Sequence, residues 1–185
     1  RPGMRPHLPP ASRPRPHIRA LSIAARSTAD ARVAAATAYY ERAWSAPDYS
    51  LMATLLSSAH IQRDAVWQAG VETVGADAMV RGARHMRRVY PGGTTFAVQR
   101  AAPCPDGAVL VHWTFEGRRK GGAVDEGAGC SVFEFEEEDS DAPTPRIAAT
   151  TVFRTALRAE VDLAAKTAAG EVPQGALLRG GGDSG

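Results

Sequence analysis

The sequence predicts an α+β domain in which about three helices come first and an antiparallel run of strands completes the fold. Two observations predict it. Between residues 30 and 90 apolar residues recur at helical spacing in three segments. Beyond residue 94 apolar and polar residues alternate in short runs separated by Gly, Pro and Asp.

The first helix opens at Ser27-x-x-Asp30, a capping-box-like start, and carries Val33, Ala36, Tyr40 and Trp44 on one face until Pro47 stops it. Asp48 can cap a second, short helix whose apolar residues are Leu51, Met52, Leu55 and Leu56. Residues 60–67 read as a strand. A third helix follows Gly75, with Met79, Ala83, Met86 and Tyr90 on one side and arginines on the other, and Pro91-Gly92-Gly93 ends it. Strands are expected over 94–100, 108–117, 129–136 and 146–154. Pro105-Asp106-Gly107 makes a turn between the first two of these. Residues 118–128, with Gly121, Gly122 and Gly127, are expected to be a flexible connection.

Residues 30–155 therefore form the domain, between a leader (1–29) and a tail (156–185). The leader holds six of the 13 prolines, six arginines and no acidic residue. That composition, without a secretory apolar stretch, is expected of an organelle transit peptide, chloroplast before mitochondrion. Ile18-Arg19-Ala20 resembles the end of many chloroplast leaders. Of 22 basic and 20 acidic residues, those outside the leader leave a net charge of −4. The basic character belongs to the leader, and nucleic-acid binding is not expected. The tail should hold a short helix over 156–169 and then Gly-rich disorder ending in Gly180-Gly181-Gly182. No run of 18 apolar residues exists for a membrane span. Cys104 and Cys130 have neither metal-site nor disulfide-framework spacing, and no metal or cofactor is expected.

Several phrases resemble the SnoaL-like branch of the nuclear transport factor 2-like superfamily. They are AAATAYYERAW (34–44), RDAVWQAG (63–70), VGADAMVRGARHMRRVYPG (74–92), VLVHWTFEG (109–117) and GCSVFEFEEE (129–138). The resemblance covers about residues 31–155. It implies a sheet curled around the helices into a cone whose mouth holds a ligand. It leaves the activity open, because cyclases, isomerases, dehydratases, carotenoid-binding domains and non-catalytic transport factors share the fold. Catalytic members place an Asp, or a His with an Asp, inside the cone.

Strand side chains alternate, so each strand offers two registers. The greasier register of each strand gives an inner face of Ile61, Arg63, Ala65 and Trp67; Phe96 and Val98; Val109, Val111, Trp113 and Phe115; Ser131, Phe133 and Phe135; and Ile147, Ala149, Thr151 and Phe153. That face contains no Asp, Glu or His. His60, Asp64 and His112 fall on the outer register, where only a bulge would turn Asp64 or His112 inward as an acid or base. A ligand would then meet Tyr40, Trp44, Arg63, Trp67, Trp113, Phe133 and Thr151. Arg81, Arg84, Arg87 and Arg88 read as a solvated helix face, and the acidic run from Glu134 to Asp141 as a solvated hairpin. The expectation is a protein that binds a small hydrophobic molecule and pairs with a second copy through its sheet. The alternatives are an isomerase, cyclase or dehydratase using Asp64 or His112, and a structural dimerisation module.

Overall fold

The computed structural model describes residues 28–46, 48–66, 72–137 and 144–157, with 160–161, 165–166 and 169 beyond them. The leader up to residue 27, Trp67, residues 138–143 of the acidic run and most of the tail lie outside the described residues.

Residues 28–38 are α-helical and continue into a π-helical turn, Tyr39–Trp44; together they form α1. The widened turn buries two consecutive tyrosines, Tyr39 and Tyr40, while Glu41 and Arg42 face solvent. Helix α2 is Tyr49–Leu55, capped as expected by the Asp48 carboxylate, which accepts from the Leu51 N–H. Helix α3, Ala76–Val89, follows Gly75, whose φ of 90° suits glycine. The Gly75 N–H also donates to the His60 carbonyl at 2.7 Å, tying α3 to the sheet.

The strands are β1 (Leu56–Asp64), β2 (Glu72–Val74), β3 (Thr94–Pro103), β4 (Val109–Arg118), β5 (Val124–Phe135) and β6 (Ile147–Arg154). They form one curved, open sheet in the order β2-β1-β6-β5-β4-β3. All neighbours are antiparallel except β1 and β6, which run parallel because the whole intervening chain connects them. The α+β class stands, with three corrections to its elements. Strand β1 starts at Leu56, directly after α2, rather than at residue 60. Strand β2 carries no run of apolar residues and was not expected. The connection expected over 118–128 is a short turn, since β5 already pairs with β4 at Val124–Arg118.

The helices lie on one face of this sheet, and the core forms between them. Tyr39, Tyr40, Ala43, Met52, Met79 and Tyr90 from the helical side meet Phe96, Val109, Val111, Trp113, Phe115 and Phe133 from the strands. In β3, β4 and β5 the greasier register does face inward, as a sheet covered on one side requires. No described helix is long and apolar enough to cross a membrane.

Candidate functional site

Cross-strand pairing sets which side chains share the interior. Val111, Ser131, Val152 and Asp64 are successive partners across β4, β5, β6 and β1, and Val109, Phe133, Thr150 and Gln62 form the adjacent row. Trp113, Gly129 and Arg154 make a third. The helices cover this face.

At its centre Ser131 joins two aromatic groups. Trp113 Nε1 donates to Ser131 Oγ at 3.0 Å, and the Tyr40 hydroxyl lies 2.6 Å from the same oxygen. Around this hub the Tyr40, Phe96, Trp113 and Phe133 rings sit at centroid distances of 5.2–5.7 Å, near the optimum for aromatic pairs. Burial foremost, then the neighbouring Tyr39 and Asp64, push the Tyr40 phenol well above its ordinary pKa, so it remains a neutral hydroxyl. Tyr39 donates to Gln62 Oε1 at 3.0 Å, and burial raises its pKa too. Gly129 makes room for the hub: a Cβ there would lie 2.6 Å from Trp113 Cζ2 and 2.9 Å from Arg154 Cβ.

The expectation of an interior without carboxylate or imidazole is corrected. In β1 the inward residues are His60, Gln62 and Asp64, and in β6 beyond Ala149 they are Thr150, Val152 and Arg154. Two irregularities reverse the phase. Leu56 faces Ile147 while Ile61 faces Ala149, so β1 carries extra residues against β6. Glu134 faces Ala149 while Phe135 faces Ile147, so Ala148 is an extra residue in β6. Each extra residue turns the side chains beyond it to the opposite face.

The inward polar groups are mostly paired. Arg154 Nε donates to Asp64 Oδ2 at 2.8 Å, and its two terminal nitrogens bind both Glu160 oxygens at 2.7 and 2.6 Å. These side chains are only 10–16% exposed. Burial works against the Arg154 charge, but Glu160 and Asp64 outweigh it and hold its pKa above the ordinary value. At the far end of the interior Asp125, 3% exposed, accepts from Tyr90 at 2.9 Å and Arg119 at 2.8 Å. His60 is fully buried, its Nδ1 lies 3.2 Å from the Ile147 carbonyl, and burial lowers its pKa.

The structure divides the residues singled out from sequence. Tyr40, Trp113 and Phe133 line the interior, and Trp44 is half-buried beside Tyr39 and Phe96. Arg63 is not inward: it is exposed and paired with Glu72 at 2.7 Å. Thr151, opposite Arg63 and Val132, shares the outer face with it, and Phe153 is 52% exposed. His112 lies outside, opposite Cys130 and Arg100. Asp64 and His112 therefore stand on opposite faces and cannot act on one substrate. A shallow depression of about 380 Å³ also lies on the outer face, between Thr95, Ala97, Thr114, Glu116 and Glu126. Sequence reasoning missed His60, Gln62, Thr150 and Arg154 as interior groups, because no residue pattern marks the two irregularities.

A mixed sheet curled over three helices, with a polar hub inside an aromatic shell, defines an α+β cone of the nuclear transport factor 2-like kind. The sequence pattern of the SnoaL-like domain matches residues 36–140, and the chain belongs to that family. A comparison with curated protein sequences finds no match. Among solved structures, PrhC from Penicillium brasilianum has a TM-score of 0.59 at 12% identity, covering 80% of this chain and 95% of its own. Bal32a from a soil-derived mobile gene cassette has a TM-score of 0.57 at 15% identity, covering 69% and 91%. RV0760c from Mycobacterium tuberculosis, solved in complex with estradiol-17β-hemisuccinate, has a TM-score of 0.54 at 12% identity, covering 68% and 98%. At these identities the likeness is one of fold.

Proposed function

We propose that this domain binds a small hydrophobic molecule in its cone, in a chain carried to the plastid by residues 1–29 and paired with a second copy through the sheet. The observation that carries the reading is the aromatic shell of Tyr40, Phe96, Trp113 and Phe133 closing on the Ser131 hub. Burying apolar surface there supplies about 25 cal/mol per Å², while the hub orients one polar group of the guest. The steroid-derived ligand of RV0760c, a protein of the same fold, supports a guest of that size and character. The rings touch one another, so a guest must part them, and Trp113 fluorescence should change as it enters. Titration with estradiol should give a saturable change. An unchanged signal, with nothing retained in native mass spectrometry, would refute the reading.

The proposed pairing uses the outer face, where Leu110 (42% exposed) and Phe153 (52%) flank half-buried Val132 and Cys130. Sedimentation should show a dimer that Phe153→Lys dissociates; a monomer at all concentrations would exclude the pairing. A reporter fused to residues 1–29 and found in the cytosol would exclude plastid import.

One observation favours a second reading, an isomerase, cyclase or dehydratase. Asp64 lies inside the cone, close enough to raise the Tyr40 pKa, so a carboxylate base and a neutral phenol donor share one space. The ion pair with Arg154 keeps that carboxylate occupied, which is why binding ranks first. Turnover of a bound compound that Asp64→Asn abolishes would establish the enzyme.

A further inference from the structure

We infer that the cone wall holds a hydroxyl-recognition point, made by His60 Nε2 and the Thr150 hydroxyl, and that the guest is a hydrophobic alcohol or phenol rather than a hydrocarbon. This rests on the binding reading above. His60 and Thr150 are both 0% exposed, and among the described residues neither His60 Nε2 nor Thr150 Oγ1 has a hydrogen-bond partner. Buried polar groups left unmet are rare in native proteins, and each calls for an explanation. Two in one wall, where Gln62, Asp64 and Ser131 all have partners, point to a state in which a guest satisfies them.

The chemistry of each group is set by its surroundings. The Ile147 carbonyl can only accept, so His60 Nδ1 must carry the proton that it shares with it. Nε2 is then the unprotonated nitrogen, a buried lone pair able to accept a hydrogen bond. Thr150 stands between Gln62 on β1 and Phe133 on β5. Tyr39 bonds to Gln62 and packs edge-on against Phe133 at 5.4 Å, the two residues that Thr150 pairs with across the sheet. His60 precedes Gln62, the cross-strand partner of Thr150, by two residues on the same face of β1, so both unmet groups belong to one wall of the cone. A hydrocarbon would leave both groups unmet. A carboxylate would set its charge against the imidazole lone pair. A hydroxyl donates to Nε2 and accepts from threonine Oγ–H, and it costs little to desolvate.

The probes are 4-propylphenol and propylbenzene, matched in shape and differing by one hydroxyl. Calorimetry on the full chain should show the phenol binding at least about tenfold tighter, as expected where a site is built around a hydroxyl. Thr150→Val, which keeps the shape, and His60→Phe should each bring the ratio toward one by weakening 4-propylphenol more than propylbenzene. The His60 Nε2 nitrogen resonance should move with the phenol and not with the hydrocarbon. If His60→Phe fails to fold, Thr150→Val and the resonance decide the matter. Equal affinities in the native protein, or a preference that survives Thr150→Val with an unmoved resonance, would overturn the inference and leave hydrophobic binding intact. Failure of both probes with estradiol still bound would overturn the inference alone, and failure of estradiol as well would overturn both readings.

Discussion

Arg154, the last residue of β6, holds the Asp64 carboxylate of β1 at 2.8 Å while gripping both oxygens of Glu160. One guanidinium thus neutralises two largely buried carboxylates and ties the segment after β6 to the neighbouring strand β1. Leu157, from that segment, packs into the core beside Gly127.

Removing this guanidinium would take the shared cation from two largely buried carboxylates. Arg154→Met should cost about 3–5 kcal/mol, the usual consequence of stranding buried charge. Arg154→Lys should lose the two-nitrogen grip on Glu160 and fall between the two. Urea denaturation measures both; a loss below about 1 kcal/mol for Arg154→Met would mean that the pair is solvated.

Adjacent residues of β4 should respond very differently to truncation. Trp113 is 3% exposed and bonded to Ser131, so Trp113→Ala should cost about 3–5 kcal/mol. His112 faces solvent, and His112→Ala should stay within about 0.5 kcal/mol. Comparable costs in thermal unfolding would contradict the observed register.

Gly129 tests the fit of the hub from the backbone side. A methyl group there would meet the Phe153 carbonyl at 2.7 Å as well as Trp113, and neither can withdraw easily. Gly129→Ala should destabilise by about 1–3 kcal/mol through overpacking. Near-UV circular dichroism should change with it, since the Trp113 ring must tilt. An unchanged spectrum and midpoint would show that the ring has slack.

The buried histidine predicts a direction for pH dependence. Burial lowers the His60 pKa in the folded protein, whereas the unfolded chain titrates near about 6.5. Below that value the unfolded state binds a proton that the folded state refuses. His60 therefore destabilises the fold as pH falls from about 6.5 toward its folded pKa, by up to about 1.4 kcal/mol per unit. Burial and Arg88 lower the pKa of His85 in the same sense, but His85 is half-exposed, where solvent screens its charge, whereas His60 is fully buried. A stability–pH profile between 4.5 and 7.5 should flatten in His60→Phe far more than in His85→Gln; equal flattening would assign the slope to the wrong histidine.

The order of helices and strands was legible because it rests on local rules. Asp48 caps α2, Gly75 opens α3 and Pro91-Gly92-Gly93 closes it, each through backbone chemistry visible in a few residues. The interior of β3, β4 and β5 was legible for a related reason: Phe96, Trp113 and Phe133 alternate with polar residues, and only one register buries them. At β1 and β6 that rule fails. Ile61 and Arg63 against His60, Gln62 and Asp64 is a choice that hydrophobicity decides wrongly, since the polar register is stabilised by partners distant in sequence. Gln62 meets Tyr39 of α1, Asp64 meets Arg154 of β6, and His60 meets the Ile147 carbonyl. The extra residues that turn these side chains inward exist only relative to a neighbouring strand. Composition and periodicity thus determined the cone and its aromatic wall, while strand pairing alone decided which charges and hydroxyls it encloses.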